Sequence, residues 1–371
     1  MLMSGRSLPV ARTSILALVL LLLVLPPAIL SAQALPDYEL WAIDQADAAN
    51  GGNKLYIFQA RQLTGTALTG APEMVDLAAG AQGVGDGAGV RPHLLLFNNR
   101  NSHGILAAVA SGHVYFLRAH DRQVVGSVNV GVQAHGAVPS PDDSLVLVAN
   151  QNGKRLARIR SDFGREQYRY EAEADLDLGA LEDAEHPDNA PICPLLFTAG
   201  GTKVYVTMRG GGLYVVDPHT TPMRVVRQYG RSQVAPSGCG GIALGNKVYI
   251  TSGTGMSSDL YVFDGRTDAL VKHISLTSYG TDAHGMGLTG NGRYLWVANR
   301  GEGDNIVVID TQRDEVVNVF AGFGAAPDLL DIAPGAGRPL RCGPSSTTMC
   351  YAPGGQRVFI SMRGPNPLTG G

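Results

Sequence analysis

The sequence predicts an all-β chain folded as a β-propeller of four-stranded blades, and three observations carry that prediction. Forty-eight glycines stand against a charged fraction of 16% in 371 residues, a composition that disfavours long helices and suits short strands joined by turns. β-Rich runs closing on Asp or another polar residue recur along the chain, and one position within them repeats at spacings of 42, 58, 46, 45 and 44 residues. A period near 45 with four strands per unit is that of a propeller.

The first 34 residues stand apart from the repeat. Arg6 and Arg12 precede the apolar run Ile15–Leu30, which leads into Ser31-Ala32-Gln33-Ala34, the small-x-small end of a secretory signal peptide. A membrane anchor needs about 20 apolar residues, and this run is shorter and broken by Pro26-Pro27. Cleavage after Ala34 is expected, leaving 35–363 as the propeller and 364–371 as a C-terminal linker or a truncated closing blade. The mature chain then holds 27 basic against 32 acidic residues, with no basic run. That charge pattern gives nucleic acid no footing as a partner. No later stretch is long and apolar enough to span a bilayer, so a soluble periplasmic or secreted protein is expected.

The copies of the repeat begin at Arg91-Pro92-His93, Ala134-His135-Gly136, Ile192-Cys193-Pro194, Gly238-Cys239-Gly240, Ala283-His284-Gly285 and Pro327-Asp328-Leu329. Ahead of them, Glu39–Gln45 matches the second strand of a unit and Lys54–Phe58 the third; the last β-rich run is Phe359–Met362. Each end counted as its own blade gives seven blades, and merged ends give six; seven is expected because merging crowds five strands into one blade. The acidic stretch Glu171–Asp188 lengthens one spacing and reads as a solvated excursion.

The runs LVLVAN, KVYVTM and YLWVAN, the strands closing VVDP, VFDG and VIDT, and the turns SPDD and TGNG resemble the YVTN-type β-propeller repeat family over residues 36–363. The resemblance implies the fold and little of the function, since such propellers are similar to extracytoplasmic binding proteins, lactonases, cytochrome-associated subunits and metal-dependent oxidases alike. Cys193, Cys239 and Asp328 depart from the small residue or His usual at their position.

Consecutive antiparallel strands reverse direction, so the residue opening the inner strand and the residue just past the second strand share one face. The first set reads His93, His135, Cys193, Cys239, His284 and Asp328, all donors for copper, zinc or iron; His93, His135 and His284 are the preferred subset. The alternative is that each is an ordinary channel side chain bonded to water or backbone. The second set reads Gln45, Gln151, Arg209, Arg300 and Arg363. Converging guanidiniums suit a small anionic ligand, unless neighbouring carboxylates such as Asp282, Asp304 or Asp328 pair with them. His103, His113, His120, His186, His219 and His273 read as surface residues, and Trp41 and Trp296 as packing between blades. Cys342 and Cys350 lie in one short insertion and suit a local disulfide; the state of Cys193 and Cys239 stays open. No nucleophile elbow, zincin, haem or phosphate-loop motif occurs. Two functions follow as expectations: an exported propeller binding a small anion, a metal ion or another extracytoplasmic protein at its channel mouth, or a metal-dependent oxidase or lactonase-like hydrolase using the histidines.

Overall fold

A computed structural model describes residues 38–46, 52–63, 68–87, 90–198, 200–322, 324–332 and 358–362, all within the unit Leu35–Gly371. The described residues are organised as antiparallel sheets in chain order. The first holds β1 (Glu39–Asp44), β2 (Lys54–Gln59) and β3 (Glu73–Asp76), followed by the short helix α1 (Leu77–Gly83). The second holds β4 (Pro92–Phe97), β5 (His103–Ala108), β6 (His113–Arg118) and β7 (Val124–Asn129). The third holds β8 (Ala134–Pro139), β9 (Leu145–Asn150), β10 (Arg155–Asp162) and β11 (Gln167–Tyr170), with β12 (Leu176–Asp177) beside β10. The fourth runs β13 (Pro191–Phe197), β14 (Val204–Met208), β15 (Leu213–Asp217), β16 (Arg224–Tyr229). The fifth runs β17 (Gly241–Leu244), β18 (Lys247–Thr254), β19 (Ser257–Asp264), β20 (Ala269–Ser275). The sixth runs β21 (Ala283–Leu288), β22 (Tyr294–Asn299), β23 (Asn305–Asp310), β24 (Glu315–Ala321), and the last pairs β25 (Pro327–Ile332) with β26 (Val358–Met362).

This is the expected β-propeller of four-stranded blades. Its inner strands are β4, β8, β13, β17, β21 and β25, each packed on the next. Six inner strands support six blades, the alternative count, and not the seven expected: β1–β3 supplies no inner strand among the described residues, so counting it as a separate blade overstated the number.

A sheet covered on both faces needs strands that are apolar throughout. Leu145–Asn150 and Val204–Met208 are accordingly buried at every position, whereas the outermost strand Arg224–Tyr229 is mostly exposed. The core is a series of slabs between neighbouring sheets. Trp41 packs edge-on against Phe97 of the next sheet, and Trp296 joins Val358 and Ile360, as expected of inter-blade aromatics.

A recurring charged contact sets adjacent sheets in register. In four places the residue that opens the second strand of one blade, or in the case of Lys203 just precedes it, meets a left-handed residue in the outer hairpin of the following blade. The pairs are Glu39 with Arg122, His103 with Glu166, Lys203 with Asp268 and Lys247 with Asp314, and the turn residues have φ of 66, 55, 56 and 54°. Charge sign is interchangeable, since the first pair reverses it. Tyr205 and Tyr249 add hydroxyl donors at 2.7 and 2.6 Å to Asp268 and Asp314. Burial, and then the acid beside it, pushes each phenol far above its ordinary value, so both remain donors.

Most acids of the excursion Glu171–Asp188 are exposed, as its reading as a solvated charge run expects, and Glu171 is the exception. Glu171 is buried, accepting from Arg158 at 2.7 Å and Arg160 at 2.8 Å, while Arg158 also donates to the carbonyls of Pro218 and Thr220 in the next blade. Ala174 and Leu178 are fully buried beneath it. His186 and His103, expected at the surface, are buried as well. His186 stacks on Tyr214 and contacts Asp183, and His103 lies against Phe163. Local hydrophilicity concealed a charged core held by charge pairing.

Tyr249→Phe should cost about 1–3 kcal/mol in urea unfolding, because Asp314 loses a buried donor. Hydrogen bonds from Arg118 hold the Glu166 carboxyl down at about 2, from an ordinary 4.5. A depressed folded value stabilises above pH 4.5 and is lost as pH falls toward 2. Acid titration of stability should therefore be shallower over that window in Arg118→Met than in the unaltered protein.

Candidate functional site

Five of the six inner strands begin with a one-residue bulge. Register slips between Pro92 and Leu94, Ala134 and Gly136, Pro191 and Pro194, Ala283 and Met286, and Pro327 and Leu330. The extra residue is His93 in the first strand and His135 in the second, and it falls within Ile192-Cys193, His284-Gly285 and Asp328-Leu329 in the other three. A bulge leaves one residue outside the ladder and re-aims it, and each of these intervals holds the repeated donor. Cys239 instead stands two residues ahead of β17, outside its ladder.

The backbone entering these strands is also unusual. Arg91, Ser237, Asp282 and Ala326 stand two residues before His93, Cys239, His284 and Asp328, and adopt φ of 37, 66, 60 and 53°. Non-glycine residues rarely do so without being held there. Each amide is bonded to the preceding blade: Arg91 to Asn53 Oδ1 at 2.6 Å, Ser237 to the Met208 carbonyl at 3.3 Å, Asp282 to the Ser257 carbonyl at 2.8 Å, and Ala326 to Asp304 Oδ1 at 2.6 Å.

The donors form two groups. On neighbouring inner strands, the His93 and His135 rings lie 4.3 Å apart at 39°. Nδ1 of His93 is 2.5 Å from the Gln45 amide, and Nδ1–H of His135 donates to the Ile192 carbonyl. A carbonyl only accepts, so neutral His135 carries its lone pair on Nε2. In the second group, Nδ1 of His284 lies 3.0 Å from Asp328 Oδ1, but without the alignment of a hydrogen bond, so this buried nitrogen has a charged neighbour and no bonded one. Arg300 spans Asp282 at 2.9 Å and Asp328 at 3.2 Å.

The sheet β17–β20 grips the His284 bulge through small residues that the sequence did not mark as part of a site. Thr251 Oγ1 donates to the His284 carbonyl at 2.7 Å and accepts from the Gly240 amide at 2.8 Å. A Cβ on Gly240 would stand 2.2 Å from that carbonyl oxygen, and one on Gly253 2.3 Å from the Ala283 nitrogen. Only a glycine-rich sequence, read with the fold in hand, signals this approach.

Other expected site residues sit differently. Gln45 supports His93. Arg209 pairs with Asp188 at 2.6 Å, and Lys154 and Arg209 hold the Asp188 carboxyl below its ordinary value against the opposing effect of burial. Arg209 and Arg300 thus follow the alternative expectation of carboxylate partners and do not converge as a bare cationic cluster. Gln151 is half-buried. Cys239 is disulfide-bonded, which removes its sulfur from the donor set. The Cys193 side chain, Arg363, Cys342 and Cys350 lie outside the described residues. Among the described residues, no three His, Cys, Asp or Glu side chains form a metal-sized cluster.

No protein-family model matches the chain, and no curated protein matches it. Among solved structures, it is similar to hydrazine synthase of Kuenenia stuttgartiensis, with 14% identity and a TM-score of 0.42 over 73% of this chain and 92% of that one.

Gly240→Ala should destabilise the protein by about 1–3 kcal/mol, since the added carbon meets backbone and not a movable side chain. Gly255→Ala, which enters open space, serves as the control and should be near neutral in the same chemical denaturation series.

Proposed function

We propose that the protein is an exported β-propeller that binds a small polar ligand at the channel mouth bearing His93, His135 and His284. The observation that carries this reading is the repeated bulge, whose interval holds the donor residue at each of these positions. Backbone held in sparsely populated conformations costs stability, and where it recurs at matched positions it marks a function. Arg209 and Arg300 already lie against carboxylates, so a ligand for imidazole has more support than the small anion expected from the guanidiniums. The leader-like N-terminus supports a periplasmic or secreted location, and the strand and turn motifs support membership of the YVTN-type repeat family.

The enzyme alternative draws on the His284–Asp328 contact, in which the carboxylate would orient a general base. It requires activity on a lactone or an oxidisable substrate that is abolished in His284→Gln.

Binding is tested by thermal shift against transition-metal salts, small carboxylates and neutral polar solutes. At least one class should raise the melting temperature of the unaltered protein, as any ligand selective for the native state does. The effect should vanish in His93→Gln/His135→Gln/His284→Gln. A response that survives in this variant, or no response to any class, would remove the mouth as a binding site.

A further inference from the structure

We infer that the outer rim of the propeller is closed to strand addition by a second copy of this chain or by an extended peptide, and that Val226, Val271 and Val317 close it. This property of the rim is independent of what the mouth binds. An outermost strand offers a row of unpaired backbone groups to any strand that meets it. Among the described residues, β16, β20 and β24 each pair on one side only. All three carry a one-residue register slip at the same place. Pairing skips Val226 between Val225 and Arg227, Val271 between Leu270 and Lys272, and Val317 between Val316 and Asn318. Val225, Leu270 and Val316 pack on the core, whereas the skipped valines are 45, 58 and 40% exposed. Burial therefore does not explain the extra residues, and their effect is on the backbone. A bulge sets two residues opposite one and breaks the even spacing that an incoming strand has to match.

The seam between the second and third sheets supplies the contrast. β7 slips at Val125 as well, but Val125 is half-buried and packs on the same core as Tyr168 of β11. Tyr168 stacks on Phe116 at 3.6 Å, and Gly126 follows the slip where a Cβ would stand 2.6 Å from the Tyr168 ring. On the three more open edges the residue after the slip is Arg227, Lys272 or Asn318. Charged and polar side chains on an edge oppose a further strand in the same way as the bulge beside them. Arg227 and Lys272 also donate to the Thr267 and Arg313 carbonyls of the next sheet, at 3.3 and 3.2 Å. β3 and β11 carry no slip and are four residues long, and a short edge is a third way to leave little to pair with.

The test compares deletion with substitution in the full chain. Deleting Val271 joins Leu270 to Lys272 and leaves the other pairings of β20 as they stand, because the skipped residue faces none. With Val226 and Val317 deleted too, all three edges become regular. In sedimentation velocity this triple deletion should give a coefficient that rises with protein concentration above that of the unaltered chain, with a gain in thioflavin T fluorescence. Val226→Ser/Val271→Ser/Val317→Ser keeps the slips and should sediment as the unaltered chain does. A second measurement needs no variant: a fluorescent synthetic copy of β20 (Ala269–Ser275) should show no rise in anisotropy with the unaltered chain. The same peptide should bind the deletion, and if the deletion does not fold, the unaltered chain decides alone. Uptake of the peptide by the unaltered chain, or a serine variant that associates as the deletion does, would overturn the inference. So would a folded deletion that only melts earlier, which would assign the slips to the Thr267 and Arg313 contacts.

Discussion

Successive blades cover one another's faces, so the fold depends on holding adjacent sheets in one registry while their contact surfaces are almost featureless. Aliphatic slabs supply attraction without direction. Direction comes, at four of the seams, from the polar contact between the start of a second strand and the left-handed turn of the next blade. Its individual members are partly exposed and each contributes little in isolation. Their repetition at equivalent positions fixes how far one sheet slides over the next, and Tyr205 and Tyr249 reinforce two of them from within the core. The sign reversal at Glu39 and Arg122 shows that geometry and complementarity matter there, and not the identity of the acid.

The architecture was legible because burial on two faces forces near-continuous apolar runs, and those runs recur with a period. The donor positions were legible for the same reason: a repeat carries any residue at an equivalent position to an equivalent place. What escaped the sequence were features set by partners far away in the chain. For Arg300 the sequence named Asp282 and Asp328 as rivals to a ligand without deciding between them, and the burial of Glu171 depends on Arg158, Arg160 and Arg169, whose nearness in sequence reveals nothing about it. His186 lies in a hydrophilic stretch, yet it is covered because Tyr214 offers it a face. Blade number failed because it depends on which strands line the channel, and a count of β-rich runs does not contain that information.

The two faces of the propeller bear different constraints. Strand direction places the charged registry contacts on the face where second strands begin, and the bulged donors on the face where they end. One face can therefore keep the sheets aligned while the other departs from regular pairing. Three bulges need this division most, since at His93, His284 and Asp328 a rung is lost from the inner ladder just where a left-handed residue adds backbone cost. Compensation there comes from the preceding blade through Asn53, the Ser257 carbonyl and Asp304. These three donors are thus positioned by two blades, their own strand supplying the bulge and the neighbour supplying the anchor, so any ligand held there reports on the registry of the sheets beneath it.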